Sequence, residues 1–155
     1  MKVRIETPWS LNCELSSGIQ TLVWIDDYKP ALTLYKNMFE LSGFRVLTAS
    51  DGATGIELVA TNRVDAVVTD YEMPGMNGEA VATLIKQSQP NLPVIMFSGS
   101  AVALKHAGHV VDAFCDKAGP RKELLAVIHK LIGNRSLPST PTRTGEKELT
   151  SRLPA

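Results

Sequence analysis

The stretch Ala66-Val67-Val68-Thr69-Asp70-Tyr71-Glu72-Met73-Pro74-Gly75-Met76-Asn77-Gly78 decides how the chain is read. Ala66–Thr69 is short, apolar and rich in β-branched residues, as a fully buried strand is. It stops on an acid, Asp70, and a Pro/Gly-containing loop follows. Asn77 then stands where a helix needs an N-cap, ahead of Val81, Leu84 and Ile85 at helical spacing. The unit is strand, acidic strand end, loop, helix.

The same unit recurs outward in both directions. Short runs at Thr21–Ile25, Arg45–Thr48, Val94–Phe97 and Ala113–Cys115 read as further strands, each bounded by Asp, Gly, Pro or Ser. Helical patterns separate them. Pro30 suits a first helical turn, Leu34, Met38 and Leu41 form an apolar stripe, and Gly43 supplies the stop. A second helix spans about Ala53–Thr61, with Ile56, Val59 and Ala60 facing inward. A short one lies near Val102–Ala107. The last begins at Pro120, carries Leu124, Val127, Ile128 and Leu131, and is expected to end at Gly133. Strand–helix alternation of this kind predicts an α/β fold, a doubly wound, five-stranded parallel sheet with helices on both faces. Such sheets bind ligands beyond the carboxyl ends of their strands.

Three acids fall at those ends: Asp26 and Asp27 after the first strand, Asp70 after the third. Clustered carboxylates repel unless a cation offsets them, and Mg²⁺ favours a few carboxylates, water and a phosphate oxygen. The bland alternative is that Asp26 and Asp27 merely cap the following helix, but the pair combined with Asp70, all at strand ends, favours a site. Ser98 closes the fourth strand and Lys117 follows the fifth, so a hydroxyl and an ammonium are candidates for the same pocket.

Over residues 20–133 the chain resembles the bacterial response-regulator receiver domain. The likeness rests on Trp24-Ile25-Asp26-Asp27, on Thr69 to Gly78 with its Met-Pro-x-Met-x-Gly run, on Ser98 and on Lys117. It implies the flavodoxin-like strand order 2-1-3-4-5 and a receiver domain over 19–133; by composition, residues 1–18 read as an N-terminal extension and 134–155, Ser-, Thr- and Pro-bearing with few apolar side chains, as a disordered tail. It implies Asp70 as phosphoacceptor, and Mg²⁺ held by Asp26, Asp27, Asp70 and the Glu72 backbone carbonyl. Lys117 would pair with one phosphoryl oxygen and Ser98 would hydrogen-bond another, with Ser98 and Phe114 forming the switch. The resemblance implies a stand-alone signalling switch rather than an enzyme, fed by a histidine kinase or phosphotransfer protein and acting on a downstream protein partner. A phosphorylation-independent interaction module of the same fold is the alternative. Where the family usually has Pro after this lysine, the chain has Ala118-Gly119, so the Lys117–Ala118 bond is expected to be trans. Glu72 and Ser100 occupy the positions at which the family varies its dephosphorylation rate.

The rest of the chain favours no other class. Lys plus Arg and Asp plus Glu both total 16 in 155 residues, a neutral balance without the basic footprint of a nucleic-acid binder. Trp9 and Trp24 have no basic residues interleaved with them. No apolar run approaches the roughly 20 residues that span a bilayer, and no secretory leader is visible, so a cytoplasmic protein is expected. Cys13 and Cys115 have no metal-ligand spacing and read as reduced thiols. His106 and His109 lack further ligands, and no glycine pattern cradles a phosphate. Val3–Ile5 is a possible extra strand.

Overall fold

The computed structural model describes residues 18–136. The readings made above for Val3–Ile5, Trp9, Cys13 and most of the tail lie outside them. Ten elements alternate: β1 (Thr21–Ile25), α1 (Lys29–Leu41), β2 (Arg45–Ala49), α2 (Gly52–Thr61), β3 (Ala66–Thr69), α3 (Gly78–Ser88), β4 (Val94–Ser98), α4 (Ala101–Ala107), β5 (Ala113–Asp116) and α5 (Arg121–Ser136). The five strands form one parallel sheet in the order β2-β1-β3-β4-β5. This is the doubly wound, flavodoxin-like arrangement expected from the sequence.

Period-two alternation divides the strands' side chains between two apolar layers. Leu22, Trp24, Ala66, Val68, Ile95 and Phe97 point to one face, where Leu32 and Phe39 of α1 and Leu124, Ile128 and Ile132 of α5 cover them. Val23, Ile25, Val67 and Val94 point to the other, beneath Val59 of α2 and Val81, Ala82 and Ile85 of α3. Both faces of the sheet are therefore dry, and the strand ends are where polar chemistry meets solvent.

Three helix readings change. On α1 the inward stripe is Leu32, Tyr35 and Phe39, while Leu34 and Leu41 are exposed, Leu41 at 90%. On α2 Ala60 is exposed, and Gly52, Gly55 and Val59 are buried. Gly133 does not end α5, which runs on to Ser136 and so takes in the first residues assigned to the tail. Gly133 lacks the positive φ of a terminating glycine, and glycine within a helix costs only about 1 kcal/mol. Gly43 does terminate α1: at φ +94° it lets its own N–H reach Glu40 O and that of Phe44 reach Phe39 O, a Schellman closure. Asn77 caps α3 through Ala80 N at 2.9 Å, as read from the sequence.

Candidate functional site

The carboxyl ends of β1 and β3 are neighbours, because β1 pairs with β3 in register from Leu22 opposite Ala66 to Ile25 opposite Thr69. One residue further on, Asp70 N–H donates to Ile25 O at 2.9 Å, and Asp26 N–H donates to Ala49 O of β2 at 3.1 Å. The sheet thus brings Asp26, Asp27 and Asp70 together. One carboxylate oxygen from each lies within 4.8 Å of the others. Asp26 and Asp70 are buried and Asp27 is exposed. The two buried acids are oriented by local amides: Tyr28 N–H donates to Asp26 Oδ1 at 2.9 Å, and Tyr71 N–H to Asp70 Oδ1 at 2.7 Å.

Lys117 completes the cluster from across the sheet. Its Nζ lies 2.9 Å from Asp26 Oδ2 and 3.0 Å from Asp70 Oδ2. Phe97 lies beside it, the ammonium 5.9 Å from the ring centroid. Phe97 in turn meets Trp24 and Tyr35 edge-on, so the ring is held by an aromatic group. Burial pushes the Asp70 carboxyl above its usual range, and Asp26 adds to this while Lys117 pulls the other way. Burial also works against the Lys117 ammonium, but its hydrogen bonds to Asp26 and Asp70 prevail and hold its pKa above the ordinary lysine value.

Ser98 stands at the end of β4, buried, opposite Asp116 of β5. Its carbonyl accepts from Lys117 N–H at 3.2 Å and its hydroxyl accepts from Ser100 N–H at 3.2 Å. That leaves the hydroxyl proton free to be donated elsewhere. Glu72 lies in the loop after β3 with its side chain exposed. Phe114 is half-buried on β5, opposite Met96, and belongs to neither apolar layer. The Lys117–Ala118 bond is trans, since no cis bond occurs among the described residues.

The structure gives two residues of the Thr69 to Gly78 run a physical role. Thr69 donates its hydroxyl to Asp70 O at 2.9 Å within the buried strand end. A β-carbon on Gly78 would overlap that same Asp70 carbonyl oxygen, so the α3 start must be a glycine to approach the loop so closely. Gly78 N–H donates to Tyr71 O at 2.8 Å. These contacts explain in physical terms why Asp70 and Gly78 stand eight residues apart with a tight Pro/Gly loop between them.

Three clustered carboxylates facing one ammonium leave two negative charges within the cluster. All-oxygen donors of this kind fit a hard divalent cation such as Mg²⁺, whereas zinc prefers nitrogen and sulfur. His106 lies in the last turn of α4 and His109 beyond its end, so the two do not share a helical face.

Fold and site together define a doubly wound α/β protein of flavodoxin type, whose strand ends carry an acidic trio and a lysine in place of a phosphate-cradling glycine loop. The chain belongs to the response regulator receiver domain family, whose model matches residues 22–129. Receiver domains are signalling switches of two-component systems. Over 127 residues the chain is 33% identical to the transcriptional regulatory protein PrrA of Mycobacterium tuberculosis, covering 79% of this chain and 53% of that protein. The chain spans about half the length of the curated relatives it matches. Among solved structures, the response regulator receiver domain protein of Clostridium thermocellum superposes with TM-score 0.70 at 26% identity, over 76% of this chain and 97% of that one. The response regulator TrrA of Thermotoga maritima, solved in complex with Mg²⁺ and BeF, shares the fold at TM-score 0.70 and 23% identity, over 73% of this chain and 99% of its own. No helix among the described residues is long and apolar enough to cross a membrane.

Proposed function

We propose that the chain is a Mg²⁺-dependent phosphorylation switch with Asp70 as phosphoacceptor. The observation that carries this reading is the Lys117 ammonium within 3.0 Å of both Asp26 and Asp70, with Asp27 completing the trio. A histidine kinase or phosphotransfer protein supplies the phosphoryl group. An Asp70 carboxylate oxygen attacks phosphorus, the P–N bond to the donor imidazole breaks, and the imidazole nitrogen keeps the electron pair. The product is an acyl phosphate.

Phosphoryl transfer depends mainly on positioning and electrostatics. Mg²⁺, held by Asp26, Asp27, Asp70 and the Glu72 carbonyl, supplies charge neutralisation when bound. Lys117 exchanges its Asp70 contact for a phosphoryl oxygen while retaining Asp26, which keeps the ammonium in place. Ser98 donates its free hydroxyl proton to a second oxygen. The readout passes through protein contacts on the α4–β5 side, where Phe114 is half-buried. Transfer and hydrolysis of its own phosphoryl group are the only chemistry assigned to it. The likeness to a receiver solved with Mg²⁺ and BeF supports this assignment. The phosphorylation-independent alternative draws on Ala118-Gly119 after the lysine. It is disfavoured because Lys117 still reaches both acids.

Intact-protein mass after incubation with acetyl phosphate and Mg²⁺ tests the reading. The wild type should gain about 80 Da, one phosphoryl group, and neither Asp70→Asn nor a chelated sample should. No adduct on the wild type, together with no response to beryllofluoride, sinks the switch and leaves the constitutive module.

A further inference from the structure

We propose that Asp116 is a positioning residue for Lys117: its side chain builds the turn that aims the ammonium at Asp26 and Asp70. This rests on the reading of the site as a phosphoryl switch. Asp116 is the last residue of β5, on an edge strand, and is exposed. Aspartate is depleted in strands, so strand formation is no reason for it to be there. Among the described residues its carboxylate joins no ion pair with a lysine or arginine. Instead Asp116 Oδ1 accepts from Ala118 N–H at 2.8 Å, the hydrogen bond of an Asx turn.

The main chain of the same residue adds a second constraint, since Gly119 N–H donates to Asp116 O at 2.9 Å. Together with Lys117 N–H on Ser98 O, three successive amides are fixed where the chain leaves the sheet. Two of those three bonds end on Asp116. A β-carbon on Gly119 would stand 3.2 Å from Asp116 O, so the glycine lets this turn close tightly. Lys117 lies between these anchors and must span to acids on two other strands through a flexible four-carbon stem. A fixed backbone narrows where that stem can place the ammonium, and Asp116 is the residue among those described whose side chain bonds this turn.

The test compares Asp116→Ala with Asp116→Asn, which keeps the Oδ1 acceptor and removes the charge. Two readouts are needed: the phosphorylation rate with acetyl phosphate and Mg²⁺, and the ¹⁵Nζ resonance of the Lys117 ammonium in metal-free protein. Asp116→Ala should slow phosphorylation about tenfold, short of the ~100-fold that a 1 Å misplacement can cost. It should also speed the exchange of the Lys117 ammonium protons with water, and Asp116→Asn should restore both. On a Lys117→Ala background, Asp116→Ala should change the rate no further. The proposal is overturned if Asp116→Ala leaves the Lys117 resonance as in wild type, or if Asp116→Asn is as damaging as Ala. A wild type that takes no phosphoryl group refutes the switch reading, while the Lys117 resonance still decides the positioning role.

Discussion

Burial and the nearby Asp26 carboxylate make an ionised Asp70 costly to the metal-free fold, and Lys117 offsets this only in part. A carboxyl whose folded pKa is raised favours folding below its unfolded pKa, here about 3.8, and loses that contribution as pH rises through the folded value. The cost therefore grows as pH rises from about 3.8 through the folded value. Asp70→Asn should raise the thermal midpoint in EDTA at pH 7, on the scale of the ~0.5–2 kcal/mol that a single stabilising substitution commonly yields. The gap should close as pH falls below about 4, where the wild-type acid is itself protonated. Differential scanning calorimetry checks this, and a wild type more stable than the variant at pH 7 in EDTA contradicts it. Asp26, Asp27, Asp70 and Lys117 were legible in the sequence because each ends or follows a strand, and strand ends converge in a parallel sheet. Thr69 and Asp116 were not legible. They act through hydrogen bonds to their own loops, and such bonds leave no periodic mark.

At the level of elements, α1 shows where apolar spacing misleads. Leu34, Met38 and Leu41 repeat as regularly as Leu32, Tyr35 and Phe39, yet the second set faces the sheet, and of the first only Met38 packs against that core. What separates them is the partner surface: Trp24 of β1 stacks on Tyr35 at 4.7 Å and meets Phe39 at 5.1 Å. Those contacts depend on which strand residues face α1, which a helix pattern alone does not encode. Phe39→Ala should destabilise the protein by about 3–5 kcal/mol and Leu32→Ala by about 2–5 kcal/mol. Leu41→Gln, on a side chain 90% exposed, should stay within about 0.5 kcal/mol of wild type. Urea denaturation of the three variants decides between the stripes, and a larger loss at Leu41 would reverse the assignment. The same blindness explains α2, where the buried positions Gly52 and Gly55 have no side chain to register as apolar. Strands were read more closely, because a run buried on both faces is apolar throughout.

The molecule as a whole is two apolar layers joined at a sheet whose carboxyl edge carries the charges, and that design sets how a phosphoryl group on the proposed acceptor would be felt elsewhere. Amides of β1 and β3, central and paired on both sides, are expected to exchange only when the whole domain unfolds. Helix α4 differs: it has seven residues, no side-chain cap, and exposed Val102 and Leu104, so it should open locally. On the proposed reading, beryllofluoride with Mg²⁺ at about 100 times its Kd should stabilise the folded state by ~2.7 kcal/mol and slow globally exchanging amides about 100-fold. A local opening gains none of this protection unless it also breaks the site. Ser98 links the two, since its hydroxyl accepts from Ser100 N–H, at the N-cap of α4, while its proton is free for a phosphoryl-like ligand. Fixing that hydroxyl in one orientation fixes its bond to Ser100 N–H, immediately ahead of the helix. Hydrogen exchange should therefore show slowed α4 amides on adding beryllofluoride in wild type, and no slowing there in Ser98→Ala, although the central strands are protected in both. Slowed central strands with an unchanged α4 in wild type would show that the site stabilises the domain without reaching this helix.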